Sequence, residues 1–144
     1  MSWEDRFMEL AKHIASWSKD PSTKVGAVIV DYDRRVIGTG YNGFPRGVND
    51  DAARYQEKAV KYRLVVHAEA NAILNAVKSV WGHTLYTTKF PCTGCAKLII
   101  QSGISVVVTP PPDLEGTWAE DARDSIQMMK EACVFVRTYE GEKK

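Results

Sequence analysis

Apolar residues recur along this chain at two different spacings, and the switch between them divides it into helices and strands. Near the start, Phe7, Leu10, Ala11, Ile14 and Trp17 follow at intervals of one or three, the pattern that gathers side chains on one face of a helix. Ser18-Lys19-Asp20-Pro21 reads as the turn that stops it. Val25 to Val30 is a short unbroken apolar run, as expected of a strand covered on both faces. Asp31-Tyr32-Asp33 is turn chemistry leading into Val36-Ile37-Gly38-Thr39-Gly40, which predicts a hairpin, and the Gly-, Pro- and Asn-rich stretch from Tyr41 to Asp50 predicts a loop.

Helical spacing returns in Ala70, Ile73, Leu74 and Val77, so a helix is expected over Ala68 to Val77. The alternation then runs through a strand at Thr84 to Thr87 and a helix that begins near Cys92 and carries Ala96, Leu98, Ile99 and Ile100. A strand at Ser105 to Thr109, a helix from about Trp118 to Glu131, and a strand at Cys133 to Thr138 complete it. Interleaved helices and strands predict an α/β protein of three layers, α/β/α, around a mixed central sheet of about five strands. The last three strands should be parallel and the first pair antiparallel. With no linker or repeat, residues 1–144 read as one domain.

Composition narrows the class further. Hydrophobic residues make up 44% and charged residues 26%, which suits a soluble globular domain. No apolar run reaches the length of a membrane span, and Met1-Ser2-Trp3-Glu4-Asp5 places acids where a signal peptide is basic, so a cytoplasmic protein is expected. Three cysteines leave no disulfide framework. A net charge of +1 argues against a polynucleotide partner, though not against a nucleotide. The terminal Lys143-Lys144 reads as a frayed end.

The chemistry concentrates in His67-Ala68-Glu69 and Pro91-Cys92-Thr93-Gly94-Cys95. One imidazole and two thiolates make a three-ligand set for Zn2+, leaving a fourth position for water whose pKa the metal lowers to roughly 7. Cys92 and Cys95 stand one helical turn apart, so both sulfurs can reach one ion. His67 and Cys92 both open helices, where backbone N–H groups and partial positive charge favour the thiolate. Glu69, two residues past His67, does not share its helical face and is better placed to shuttle a proton than to ligate. A structural zinc site would need a fourth Cys or His. The spares are Cys133, which reads as buried strand, His13 on the first helix and His83 in a turn, and none is an obvious ligand. The zinc is expected at the edge of the sheet, between two helix starts.

His-x-Glu with Pro-Cys-x-x-Cys is a known signature of zinc deaminases acting on cytosine or adenine. Over residues 3 to 109 the chain resembles the deoxycytidylate (dCMP) deaminases of the cytidine deaminase-like fold. The resemblance runs through Trp17-Ser18-Lys19-Asp20-Pro21-Ser22-Thr23-Lys24-Val25-Gly26-Ala27, Gly40-Tyr41-Asn42-Gly43-Phe44-Pro45-Arg46-Gly47, the His67 segment to Ile73, and Pro91 to Ile100. It implies zinc ligation by His67, Cys92 and Cys95, with Glu69 as the catalytic proton shuttle. The implied reaction is hydrolysis of dCMP to dUMP and ammonia, feeding thymidylate synthesis: Glu69 relays a proton to ring N3 as hydroxide attacks C4. Expected substrate contacts are Asn42 at the sugar, Ser18 and Lys24 on the phosphate side, Ala68 and Trp118. A homo-oligomer, dimer or hexamer, with dCTP and dTTP as effectors, is also implied.

Several residues keep different readings open. Asn42 lies between Tyr and Gly, where Asn is a normal turn former, and an exposed Lys24 would be merely solvated. Trp118 arrives from Pro110-Pro111-Pro112-Asp113-Leu114-Glu115-Gly116-Thr117, a segment unlike the family's usual one, and either caps the base by stacking or joins the core. With Ala70 where the family carries Leu or Met, a 5-substituted dCMP is a second candidate substrate. Cytidine, guanine and tRNA adenosine are further candidates, and a zinc-stabilised binding module would keep the metal without any catalysis.

Overall fold

The computed structural model describes residues 1–141, so the Lys143-Lys144 end and the close of the expected domain lie outside the described residues. In chain order the elements are α1 (Trp3–Ala15), β1 (Gly26–Val30), β2 (Val36–Tyr41), α2 (Ala52–Gln56), α3 (Lys58–Leu64) and α4 (Ala68–Leu74). There follow β3 (Thr84–Thr87), α5 (Thr93–Ser102), β4 (Val106–Thr109), α6 (Ala119–Glu131) and β5 (Phe135–Thr138). The strands form a five-stranded sheet of order β2-β1-β3-β4-β5. β1 is antiparallel to both β2 and β3, and β3, β4 and β5 run parallel. That parallel half follows from α5 and α6, which carry the chain back across the sheet between successive strands.

Alternate residues of β1 face opposite layers, as strand geometry requires. Val28 and Val30 pack with Tyr86 and Val108 beneath Phe7, Met8, Ala11 and Ile14 of α1. Ala27 and Ile29 face the other way, joining Ile37, Leu85 and Val107 under Ala68 and Ala72 of α4, Ala96 and Ile99 of α5 and Met129 of α6. Each fully buried aliphatic side chain contributes roughly 1.5–3 kcal/mol, so the two cores together drive the three-layer arrangement. α1 starts on a capping box in which Ser2 Oγ accepts the Asp5 N–H at 3.0 Å and Asp5 Oδ2 accepts the Ser2 N–H at 3.1 Å.

Four features depart from the sequence reading. The helical stripe does not reach Trp17: α1 ends at Ala15, and Trp17 lies exposed, edge-on to Tyr41. α4 stops at Leu74 because Asn75 turns its amide to the Thr39 carbonyl oxygen and the Val77 N–H donates to the Ile37 carbonyl oxygen, leaving Leu74 and Val77 exposed. Cys133 is not buried strand: it sits exposed after α6 at φ 61°, with Val134 N–H bonded back to Met129 O, and β5 begins at Phe135. Helices α2 and α3 lie between the expected Tyr41 to Asp50 loop and His67, where the sequence reading placed no element. They are short and bury only Tyr55 and Lys61, which leaves no apolar periodicity to read.

Candidate active site

Two helix starts meet off the end of β3, the middle strand of the sheet, so the site lies at the strand ends near the centre and not at a sheet edge. His67 is the N-cap residue of α4, Cys92 is the N-cap residue of α5, and Cys95 falls in the first turn of α5. His67 Nδ1 lies 3.3 Å from Cys95 Sγ and 3.4 Å from Cys92 Sγ. The three ligand atoms all lie within 4.8 Å of one another. A tetrahedral zinc with ordinary Zn–N and Zn–S lengths separates nitrogen from sulfur by about 3.5 Å, so this donor set fits the ion. Cys133, His13 and His83 do not join the cluster; the His13 ring lies against Trp17 and the His83 ring against Tyr32.

The cluster is electrostatically poised for a cation. The Cys95 thiol, and after it His67, hold Cys92 down to about 4 against the cost of burial. Cys95 is pushed up, first by its bond to Cys92 and then by burial, so the protein alone keeps one thiolate and one thiol. His67 is raised, chiefly by Cys92. His67, Cys92 and Cys95 could together hold a divalent ion, whose charge would favour the thiolate form of both sulfurs.

Glu69 stands beside this cluster at 4% exposure, on the first turn of α4. Burial raises its carboxyl above the usual carboxylate range, while hydrogen bonds from Cys95 and Thr87 oppose the shift. The Thr87 hydroxyl, at the end of β3, donates to Glu69 Oε1 at 2.9 Å. A carboxyl so raised, and held beside the cluster, is suited both to take a proton and to give one back.

Asn42, Ser18 and Lys24 gather where β1 begins and β2 ends. Asn42 is buried, with Oδ1 accepting the Val25 N–H at 2.8 Å and Nδ2 donating to the Thr23 carbonyl at 2.9 Å. Ser18 is buried too, and its hydroxyl donates to the Asn42 carbonyl at 2.8 Å. The exposed Lys24 turns its ammonium onto the Ser18 carbonyl. The loop after β2 is joined to the approach to His67 by paired backbone bonds between Gly43 and Val66. Ala68, the first residue of α4, is fully buried. Trp118 does not enter the core: it is 66% exposed at the N-cap of α6, and its indole meets Tyr62 edge-on.

Sequence reasoning missed Thr87, Lys61, and the pair Thr93 and Asp121. Lys61 is buried against Asp20 and Ser22, with Nζ 3.1 Å from Asp20 Oδ2 and 3.0 Å from Ser22 Oγ. Each of these pairs partners far apart in the chain, with no local pattern to betray them.

Residues 1–110 match the cytidine and deoxycytidylate deaminase zinc-binding region. An uncharacterized deaminase in the luxG 3′ region of Aliivibrio fischeri is 44% identical over 136 residues, covering 93% of this chain and 91% of the other. The human deoxycytidylate deaminase is 44% identical over 114 residues, covering 75% of this chain. The chain spans 64% of that human protein's length and 59% of a probable deoxycytidylate deaminase from Drosophila melanogaster. Among solved structures, the dCMP deaminase of cyanophage S-TIM5 in complex with dCMP and dUMP superposes with a TM-score of 0.80. It shares 26% identity and covers 94% of this chain and 96% of the other.

Proposed function

The chain belongs to the cytidine and deoxycytidylate deaminase zinc-binding family, and from that premise we propose that it hydrolyses dCMP to dUMP and ammonia. The observation that carries the reading is a buried carboxyl, Glu69, set beside a three-ligand His67–Cys92–Cys95 cluster. Its support in the substrate is the human relative named a deoxycytidylate deaminase and the S-TIM5 structure that holds dCMP and dUMP.

His67, Cys92 and Cys95 would hold the zinc, which when bound supplies Lewis-acid activation of water. Glu69 takes the proton that water gives up, passes it to ring N3, and carries a second proton to the amino group so that it leaves as ammonia. Water's oxygen stays on C4 and no other reactant is consumed. Thr87 keeps one carboxyl oxygen fixed by its hydrogen bond, leaving the rest of the carboxyl to do the transfer. Ala68 would contribute its backbone. Asn42 would contact the sugar, and its amide bonds to Thr23 and Val25 fix it against the end of the Ser18 to Lys24 turn. Lys24 and Ser18 would face the phosphate from the same turn.

The proposal extends to a cytoplasmic homo-oligomer, dimer or hexamer, with dCTP and dTTP as effectors and its product used in thymidylate synthesis. The exposed Leu74, Val77 and Trp81 support self-association. Among the described residues no helix is long and apolar enough to cross a membrane.

Ammonia release by the zinc-loaded protein, run side by side on dCMP, deoxycytidine, dCTP and 5-methyl-dCMP, tests the reading. Turnover of dCMP well above deoxycytidine is expected. Glu69→Gln should lower kcat by about 10²–10⁴ while zinc content stays at one per chain, and survival of activity in that variant would remove Glu69 from the proton path.

A further inference from the structure

Asp121 lies in the first turn of α6, where a carboxylate ordinarily serves its own helix start. Here it reaches across to another one. Asp121 Oδ2 accepts the backbone N–H of Thr93 at 3.1 Å, and Oδ1 accepts the Thr93 hydroxyl at 2.8 Å. Thr93 is the first residue of α5 and follows Cys92 directly, so Asp121 clamps the turn that presents both thiols.

Trp118 stands three residues before Asp121, at the N-cap of α6. A single helical turn separates them, so the clamp ties the start of α6, which carries Trp118, to the start of α5 beside Cys92. The indole meets Tyr62 with ring centroids 6.4 Å apart and planes at 79°. Tyr62 is 58% exposed on α3, five residues ahead of His67. One exposed ring therefore comes from the segment entering at His67 and the other from the segment docked at Cys92. Aromatic surface left bare beside a site is favourable to cover with a flat, partly apolar ring.

We propose that Asp121 is a positioning residue that, by clamping Thr93, holds Trp118 against Tyr62 at the rim of the site, where the indole closes over the substrate base. This rests on the reading of the His67–Cys92–Cys95 cluster as the deaminating centre. The clamp accounts for a carboxylate spent on a neighbouring helix, and it gives the Pro110 to Trp118 segment a task in base recognition.

The test combines kinetics with a probe that needs no turnover. KM and kcat for dCMP, and zinc content, are measured for Asp121→Ala, Trp118→Ala and the double variant. Asp121→Asn and Thr93→Val serve as milder variants should Asp121→Ala fail to fold. In parallel the protein is labelled with 5-fluorotryptophan, and the Trp118 fluorine resonance is identified by its loss in Trp118→Phe. Asp121→Ala should raise KM about tenfold, with kcat changed far less and zinc retained. In the Trp118→Ala background it should add nothing, because the two residues act as one unit. The Trp118 resonance should shift when Asp121 is replaced. Additive effects in the double variant, loss of zinc in Asp121→Ala, or an unmoved resonance would each overturn the proposal. Absence of dCMP turnover in the wild-type protein would instead sink the deaminase reading, and the fluorine resonance would still decide whether Asp121 holds Trp118.

Discussion

Lys61 illustrates how much one buried charge can organise. Its side chain is 10% exposed and that of Asp20 is 2%, and the two lie 3.1 Å apart. Burial works against ionising Asp20, but the backbone N–H groups of Ser22 and Thr23 and the Lys61 ammonium overcome it and hold the carboxyl below its ordinary value. A buried pair gains little net stability over an apolar pair of the same size, yet breaking it strands a charge in the interior. Lys61→Met should therefore destabilise the protein by about 3–5 kcal/mol, measured by urea unfolding. The double replacement Asp20→Asn with Lys61→Met should recover a large part of that loss. If the single and double variants were equally unstable, the pair would not be acting through its charge. The consequence for the site is local, because Asp20 braces the same turn that Asn42 grips from the other side.

At the scale of elements, helix α4 is set by the strand it lies on. A Cβ added at Gly40 of β2 would come within 2.3 Å of the Ala72 nitrogen and 2.4 Å of the Ala68 carbonyl oxygen. Those are backbone atoms of the helix that carries Glu69, so they cannot move without moving it. Gly40→Ala should cost about 1–3 kcal/mol by overpacking, and it should lower kcat as well as the melting temperature by tilting Glu69 away from the cluster. Unchanged kcat alongside a lowered melting temperature would show that α4 repacks without disturbing its first turn. The hairpin between β1 and β2 has its own device in Asp31, held down to about 2, first by the Lys78 ammonium at 2.7 Å and then by the backbone N–H groups of Arg35 and Asp33. Because the folded value lies below the unfolded one of roughly 3.9, this stabilisation is complete above about pH 4. It fades as pH falls toward 2. Asp31→Asn should flatten that part of the acid unfolding curve, and an unaltered curve would assign the acid sensitivity elsewhere. The ligand residues were readable because their spacing answers a chemical need: His67, Cys92 and Cys95 sit where two helix starts can share an ion, and the apolar runs of β1 and β4 are long enough to mark buried strands. Cys133 was misread because its apolar neighbours look like strand while its backbone takes the left-handed turn that ends α6. α3 was missed because the residue it buries is a lysine, and Thr87 because its partner Glu69 stands 18 positions away.

Taken whole, the molecule has two apolar cores, one on each face of the sheet, and neither includes the metal ligands as its central residues. Zinc would join α4 to α5 at one end of the sandwich, where the helices already meet β3 through Ala68, Ala72, Ala96 and Ile99. Small zinc-dependent domains unfold without their metal because they have no other core; this chain does, so its dependence should be graded. With free zinc a thousand times above Kd, binding would add about 4 kcal/mol, or roughly 8–16 °C in Tm for a chain of this size. Chelation should therefore lower the melting temperature by that order and abolish turnover, while the far-ultraviolet circular dichroism at 25 °C keeps its helical signal. Cys92→Ser should behave like the chelated protein and gain little on adding zinc. Loss of the helical signal on chelation would mean that the joint between α4 and α5 holds the sheet together, and that the cores beneath it are not sufficient on their own.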